Sequence, residues 1–169
     1  VSAFLPELDG TPELGPDDHK FFQEMIWMLR WATELGRVDV LYEVLLLSQY
    51  QASPRQGHLE QALHIFAYLD KKPKLTLYMS PSSPNVPRER FANTTASEFK
   101  EYYRGAEEEL PHRMPRPRGI AVETMAFVDA SHGANKVTRR SHSGHILFVN
   151  SAPVKWLSRR QQTVETSAF

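Results

Sequence analysis

The residues of this 169-residue chain that could most readily do chemistry lie in its last third. A single carboxylate, Asp129, ends a stretch of alternating apolar residues, and the sequence then holds no Asp or Glu from Ala130 to Val164. All charged residues within that run are cationic: Lys136, Arg139, Arg140, Lys155, Arg159 and Arg160. The chain as a whole has 20 basic and 20 acidic residues. A local excess of positive charge in a neutral chain predicts a polyanionic partner, of which nucleic acid is the obvious example.

Asp129 has two interpretations. Residues 121–129 alternate with apolar groups on both faces, which predicts a central and largely covered strand. A carboxylate at the end of such a strand needs compensation, and magnesium is a natural partner because it accepts carboxylate, water and phosphate oxygens. The alternative is that Asp129 is a turn residue that closes the strand through its own backbone.

Two further strands are predicted after the basic run begins. A turn at Ser143-Gly144 leads into an apolar strand over 145–150, and a turn over 150–153 leads into a third strand over 154–158. Three strands joined by short connections predict an antiparallel meander. Residues 163–169 have the sequence of an approach to a helix, with Thr166 or Ser167 as its N-cap.

The first half of the chain predicts three helices, over 17–36, 38–51 and from Ser53-Pro54 to about Lys71. Asp17 or Asp18 is expected to cap the first helix, and Ser53 the third, with Pro54 at its first position. Helical spacing places Phe22, Met25, Ile26 and Leu29 in the core. Trp27 and Trp31 lie four residues apart, and core packing is favoured for them over stacking on nucleic-acid bases.

Three smaller expectations concern the parts between these elements. His58 and His64 are expected to be partly exposed, and their spacing does not suit a two-histidine metal site. Residues 75–79 alternate like a strand. Residues 80–119 hold six of the 12 prolines and are interpreted as a tether that contains a short amphipathic helix over 96–110.

The polar and aromatic residues of the last third resemble the opening of the ribonuclease H domain in copia-type retrotransposon polyproteins. The residues that carry this resemblance are Asp129-Ala130-Ser131, Arg139-Arg140-Ser141, Ser143-Gly144, Pro153-Val154, Trp156, Ser158-Arg159-Arg160-Gln161, Val164 and Thr166-Ser167. The resemblance implies that Asp129 is a catalytic residue and one of several carboxylates that hold two magnesium ions, which together cleave the RNA strand of an RNA–DNA hybrid. Ser131 departs from the pattern, because many members have a second Asp there.

The same resemblance implies a set of nucleic-acid-binding residues: Lys136, Arg139, Arg140, Ser141, Lys155, Arg159, Arg160 and Gln161. The helical half resembles the thumb-like segment that follows the polymerase palm in these polyproteins. That part of the resemblance is carried by Arg37-Val38-Asp39-Val40, Leu47-Ser48, Pro54, His58, Ala62 and Tyr68-Leu69. This part of the resemblance implies that the helical half contacts the primer–template duplex. The paired aspartates of the polymerase are not in this sequence.

These observations predict an α+β fold. We expect a linker over 1–16, a three-helix thumb-like bundle over 17–79, a connection over 80–119, and over 120–169 a three-stranded meander that begins an incomplete ribonuclease H domain. Val1 in place of Met, and Phe169 ahead of the expected helix, are interpreted as cuts. The expected partners are an RNA–DNA hybrid or duplex and the rest of the Pol polyprotein, and no membrane, because no apolar run is long enough to span one.

The expected function is that of a reverse transcriptase/ribonuclease H fragment that binds nucleic acid. The family reaction is magnesium-dependent DNA synthesis and RNA hydrolysis, and we expect neither reaction from this chain alone, since magnesium belongs to the complete domain. The alternatives are a non-catalytic nucleic-acid-binding or scaffolding module from a decayed element, and a helical interaction domain with an incidental basic tail. The absence of cysteine and of a secretory signal indicates an intracellular setting. The resemblance implies a cytoplasmic particle or the nucleus.

Overall fold

The chain folds into a helical unit followed by a small sheet. The structure, a computed structural model, describes residues 4–85, 111–116 and 118–163. Its helices are α1 (Pro16–Glu34), α2 (Leu41–Leu47) and α3 (Gln56–Lys71), and its strands are β1 (Thr124–Ser131), β2 (His142–Val149) and β3 (Ala152–Arg160). Single 3-10 turns lie at Pro6–Leu8, Val38–Val40 and Ser48–Tyr50. The predicted α+β class is confirmed.

The core lies among the three helices. Helical periodicity places one apolar stripe of each helix inward, and burial removes those side chains from water. The side chains predicted to face inward from α1, those of Phe22, Met25, Ile26 and Leu29, are buried as expected. The whole buried cluster is Phe22, Met25, Ile26, Leu29, Val40, Val44, Leu47, Leu59, Ala62 and Ile65.

Trp27 and Trp31 do not belong to this core, and the prediction that they pack there is wrong. Their exposed fractions are 62% and 68%. Helical spacing predicted correctly that the two share a face, but α2 and α3 pack against the neighbouring stripe, which contains Phe22 and Ile26. The guanidinium of Arg30 lies over the Trp27 ring, 5.3 Å from its centroid.

The helix boundaries differ from the predictions at their N-terminal ends. Gly15, and not Asp17 or Asp18, is the N-cap of α1, with Pro16 at the first position. The predicted second helix is divided, because 3-10 turns flank a short α2. Arg55, and not Ser53, is the N-cap of α3, so Pro54 lies outside the helix.

The N-terminal arm explains the start of α3. The carbonyl oxygen of Pro12 accepts a hydrogen bond from Gln56 N at 3.0 Å, and Thr11 Oγ1 accepts one from Gly57 N at 2.9 Å. These acceptors satisfy helix N–H groups that have no partner inside the helix. His58 completes the arrangement, since its Nδ1 accepts from Arg55 N and its Nε2 bonds to Pro6 O. His58 is therefore buried, contrary to the prediction, whereas His64 is exposed.

The sheet is an antiparallel meander in the order β1-β2-β3, as predicted. Among the described strands β1 is an edge strand with exposed side chains, so the expectation of a central, covered strand is wrong. Ser143 and Gly144 lie inside β2 and pair with Ala130 and Asp129, so the turn predicted there is also wrong. The connection between β1 and β2 comes earlier, over 132–141.

The helical unit and the sheet meet at specific contacts. Trp156 Nε1 donates a hydrogen bond to Thr33 O at the end of α1, at 2.9 Å. Gln49 Nε2 lies 3.0 Å from His142 Nε2, and the Tyr42 ring meets the His142 ring edge-on. Because paired residues of antiparallel strands share a face, Phe127, Ile146 and Trp156 lie together on the face that turns toward the helices.

The connecting segment is described only in part. Residues 75–79 form no strand, contrary to the prediction. The helix expected over 96–110 and the helix approach expected near the end of the chain lie outside, or almost wholly outside, the described residues. Within the described ranges no helix is both long and apolar enough to pass through a bilayer.

Candidate nucleic-acid interface

The basic residues are positioned by a compact loop over 132–141 that is organised by Asn135. The side-chain oxygen of Asn135 accepts hydrogen bonds from Val137 N at 3.1 Å and Thr138 N at 2.7 Å. Its backbone carbonyl accepts from Arg139 N, and its own N–H donates to Arg140 O. Asparagine readily closes turns in this way. These hydrogen bonds fix the positions of Arg139 and Arg140 at the end of the loop. Arg139 has a positive φ of 57°.

Ser141 anchors the loop and is not available to a ligand. It is 3% exposed, and its Oγ accepts a hydrogen bond from Gly133 N at 2.9 Å. Its backbone carbonyl accepts from Gln161 N at 2.8 Å. The structure thus gives Ser141 a role in joining the loop to the end of β3.

Three of the predicted cations share one cleft, which we call the arginine cleft. Its volume is about 300 Å³, and it lies between the C-terminal end of α2 and the end of β3. The residues that line it are Leu45, Ser48, Gln49, Arg140, Ser158, Arg159, Arg160, Gln161 and Gln162. No acidic side chain is among them, so the cleft presents guanidinium, amide and hydroxyl groups, which suit an anionic ligand.

Gln161 forms part of the wall of the arginine cleft. Its Nε2 donates a hydrogen bond to Ser143 Oγ at 2.8 Å. Its Oε1 is buried and has no hydrogen-bond partner within the described ranges. The amide is therefore held by the neighbouring strand β2.

The other predicted cations lie outside the arginine cleft. Lys136 is exposed in the loop, and its backbone N–H donates to Glu7 Oε1 at 2.9 Å. The Arg139 guanidinium lies against Gly133, where a β-carbon would come within 3.4 Å of it. Lys155 is exposed and pairs with Leu147, on the face of the sheet opposite Trp156. The structure brings together Arg140, Arg159 and Arg160 with Gln161, and not the whole predicted set.

Asp129 lies in a second cleft, which we call the apolar cleft, between α2 and the sheet. Its volume is about 580 Å³. The residues that line it are Val38, Leu41, Tyr42, Phe127, Val128, Asp129, Ser131, His142, Ser143, Gly144, His145, Ile146, Leu157 and Ser158. Asp129 is exposed, and its Oδ1 accepts a hydrogen bond from Ala130 N at 2.9 Å. Ser158 lines both clefts, so the carboxylate and the arginines are neighbours across the sheet and not members of one pocket.

The described residues do not fit a two-magnesium centre. They include no group of three or more His, Cys, Asp or Glu side chains that could hold a metal ion. Two-metal chemistry needs several oxygen ligands around ions that lie about 4 Å apart. Asp129 supplies one carboxylate, and no step of a reaction can be built from it alone.

His142 lines the apolar cleft and contacts Gln49 of the arginine cleft, and it was not singled out from the sequence. It is 5% exposed and pairs with Arg160 on the neighbouring strand. Burial, and secondarily the positive charge of Arg160, lower the pKa of His142 below its ordinary value of 6.5. Gln49 Nε2 lies 3.0 Å from His142 Nε2 and donates a hydrogen bond to it when the ring is neutral with its proton on Nδ1.

Sequence reasoning also missed the contribution of the 3-10 turn after α2 to the arginine cleft. Ser48 and Gln49 line the cleft, yet Gln49 lies 93 residues from His142, which it contacts. No local pattern could have connected them. Asn135, by contrast, has a signal in the sequence, because an asparagine after a glycine in a polar stretch favours a turn.

A comparison with known proteins adds an independent observation. No family model matches the chain, and no solved structure matches it significantly. Over 143 residues, 85% of the chain, the sequence is 27% identical to a protein of Saccharomyces cerevisiae that bears the name of the transposon Ty5-1. This similarity supports a retrotransposon-derived protein. The aligned part spans 34% of the relative's length, so it corresponds to about a third of that protein.

Proposed function

We propose that this chain is part of a copia-type Pol polyprotein, and that it binds an RNA–DNA hybrid or a template–primer duplex through the arginine cleft. The observation that carries the proposal is that Arg140, Arg159 and Arg160 all line one cleft, and that no acidic residue is part of its lining. Guanidinium groups bind phosphate oxygens in pairs of hydrogen bonds, and a cluster of them attracts a polyanion over long range. The similarity to a Ty5-1 protein supports the origin of the chain.

The proposal assigns a role to each region. Residues 17–79 are the thumb-like segment at the end of a reverse transcriptase, residues 80–119 are the connection, and residues 120–169 begin a ribonuclease H domain. Residues 1–16 are an arm whose contacts with α3 hold the helical unit together. The remaining partner is the rest of the Pol polyprotein, in a cytoplasmic particle or in the nucleus.

Magnesium enters this proposal only through the complete domain. The family reaction needs further carboxylates beside Asp129, and the described residues offer none in a metal-binding group. We therefore expect the 169-residue chain to bind hybrid and not to cleave it. The function proposed for the chain itself is binding.

The direct test is a titration of a fluorescent RNA–DNA hybrid at a series of salt concentrations between about 50 and 200 mM. Three to five phosphate contacts predict a log–log slope of about −3 to −4, because each neutralised phosphate releases condensed counterions. An affinity that does not change with salt would reject the proposal and favour a helical interaction domain.

A non-catalytic module from a decayed element is the second candidate. It is favoured by Ser131, which stands where many family members have a second Asp, and by the turn over 132–135, which ends in Asn135 and replaces a more acidic turn. Reading the genomic sequence after the Phe169 codon separates the two. An intact frame that continues to a Glu and further Asp residues supports the enzyme fragment, and an early stop codon supports the decayed element.

A further inference from the structure

One face of α1 carries a stripe of exposed apolar side chains, which we call the α1 stripe. Its members have the following exposed fractions: Phe21 46%, Trp27 62%, Met28 53%, Trp31 68% and Leu35 66%. Phe21, Met28 and Leu35 are seven residues apart, and Trp31 lies three after Met28. This is the spacing with which one helix packs along another.

Exposure of this size is unusual for a single helix. If the full accessible surface of a large residue is about 200 Å², the α1 stripe exposes roughly 600 Å², the upper end of the largest patch on a typical monomer. Patches of that size mark interaction sites.

The charges around the stripe disfavour nucleic acid as its ligand, because four acidic residues of α1 outnumber Lys20 and Arg30. Asp17 and Asp18 lie in the first turn of α1, Glu24 lies within the stripe, and Glu34 lies at its end. Acidic groups repel phosphate, so base stacking on the two tryptophans is disfavoured despite their exposure. A protein surface is the remaining class of partner.

Two copies of α1 that run antiparallel would bring oppositely charged residues together. When two α1 helices run antiparallel with Trp27 opposite Trp27, residue i of one helix faces residue 54 − i of the other. Lys20 then lies at the level of Glu34 of the second copy. This pair is attractive, and the two-fold symmetry forms it twice. Within one chain Lys20 approaches Glu24 at 4.0 Å, with both side chains more than half exposed, so that contact is weak and easily exchanged.

We propose that the α1 stripe is the interface of a symmetric homodimer in which two α1 helices pack antiparallel about Trp27. Roughly 600 Å² from each copy amounts to roughly 1,200 Å², the lower limit of a specific interface. The contact is independent of the arginine cleft, because the helical wall of that cleft comes from Leu45 of α2 and from Ser48 and Gln49 of the following 3-10 turn, and not from α1. Each dimer would then carry two arginine clefts.

Sedimentation equilibrium of the full 169-residue chain tests this proposal. The wild type is expected to show a monomer–dimer equilibrium. Lys20→Glu turns two attractive pairs into two repulsive ones and is expected to weaken the dimer about tenfold. The double variant Lys20→Glu/Glu34→Lys restores opposite charges at both positions and is expected to return within about twofold of the wild type.

The controls keep the result interpretable. Lys74→Glu makes the same charge change at an exposed residue after α3 and is expected to leave the dimer unchanged. Trp27→Ala removes the central contact and is expected to abolish dimerisation at concentrations where the wild type is dimeric, while circular dichroism shows an unchanged helix content. A wild type that is monomeric at every concentration overturns the proposal, as does a dimer that Lys20→Glu and Trp27→Ala leave unaffected.

Discussion

The indole nitrogen of Trp156 donates a hydrogen bond to the backbone carbonyl of Thr33 across 123 residues of sequence, at 2.9 Å. Thr33 is buried at the C-terminal end of α1, and Trp156 lies in β3 on the face that turns toward the helices. This bond fixes the sheet against the helical unit, and the arginine cleft depends on that contact because its walls come from both sides.

Trp156→Phe removes the donor and leaves the Thr33 carbonyl with the hydrogen bond from Gly36 N, at 3.2 Å. We expect the free energy of unfolding to fall by about 1 kcal/mol, the net contribution of one hydrogen bond whose acceptor keeps another donor. Urea unfolding measures the change. Tyr78→Phe, at a residue that is 79% exposed, is the control and should stay within about 0.5 kcal/mol of the wild type. A Trp156→Phe protein as stable as this control would show that the bond does not hold the two units together.

His142 predicts a pH dependence of stability. Burial and Arg160 lower its pKa in the folded state, so below 6.5 the unfolded chain binds the proton more readily than the folded chain does. The free energy of unfolding should therefore rise with pH through the range just below 6.5 and level off above it. His142→Gln should remove this rise, whereas the exposed His64→Gln should retain it. Urea titrations at a series of pH values measure the free energy of unfolding. If His142 did not cause the pH dependence, this free energy would rise with pH as steeply in His142→Gln as in the wild type.

The helices and strands could be predicted from the sequence where one periodic pattern of apolar residues determines which side chains are buried. The stripe of α1 that contains Phe22 and Ile26 is buried as expected, and three strands form the predicted meander. The sequence did not predict which of two adjacent apolar stripes faces the core, because that choice depends on where α2 and α3 lie. Trp27 and Trp31 were assigned to the wrong side for this reason.

The remaining differences come from contacts between distant residues. Arg55 caps α3 because Thr11 and Pro12 of the arm satisfy its first N–H groups, and no local signal at Ser53 reveals those partners. The arginine cleft shows the same limit. The basic run was visible in the sequence, but the placement of Arg140 beside Arg160, and of Lys155 on the other face, follows from the loop around Asn135 and from the strand register.

Gly57 is required by the position of Asp9. A β-carbon at residue 57 would lie 2.5 Å from Asp9 Oδ2 and 2.9 Å from its Cγ. The Asp9 side chain cannot move away freely, since it is 3% exposed and accepts a hydrogen bond from Thr11 N at 2.9 Å. Gly57→Ala should therefore lower the free energy of unfolding by about 1–3 kcal/mol.

The matched control for Gly57→Ala is Gly10→Ala, because a β-carbon at residue 10 meets nothing within 4 Å. Its stability should stay within about 0.5 kcal/mol of the wild type. The double variant Asp9→Ala/Gly57→Ala should lose less than the sum of its single changes, since the clash is shared. Additive losses would show that Asp9 is not what excludes a side chain at residue 57.

Asp129 gives a prediction about catalysis. With magnesium and a labelled RNA–DNA hybrid, we expect the 169-residue chain to show no cleavage, because the described residues place no further carboxylate with Asp129. Asp129→Asn should bind the hybrid as tightly as the wild type or more tightly, since it removes a negative charge near the arginine cleft. Gel electrophoresis of the labelled hybrid measures the cleavage of its RNA strand. Magnesium-dependent cleavage that Asp129→Asn abolishes would contradict the account and establish a functional metal site.

The most direct test of the proposed function compares two variants that remove equal charge. One carries Arg140→Gln, Arg159→Gln and Arg160→Gln in the arginine cleft, and the other carries Lys71→Gln, Lys72→Gln and Lys74→Gln at and after the end of α3. Fluorescence anisotropy with the same RNA–DNA hybrid gives the affinity and its salt dependence for each. We predict that the cleft variant loses about three units of the log–log salt slope and most of its affinity, while the lysine variant keeps both close to the wild type. Equal losses in the two variants would contradict the account, because binding would then follow net charge and not the arginine cleft.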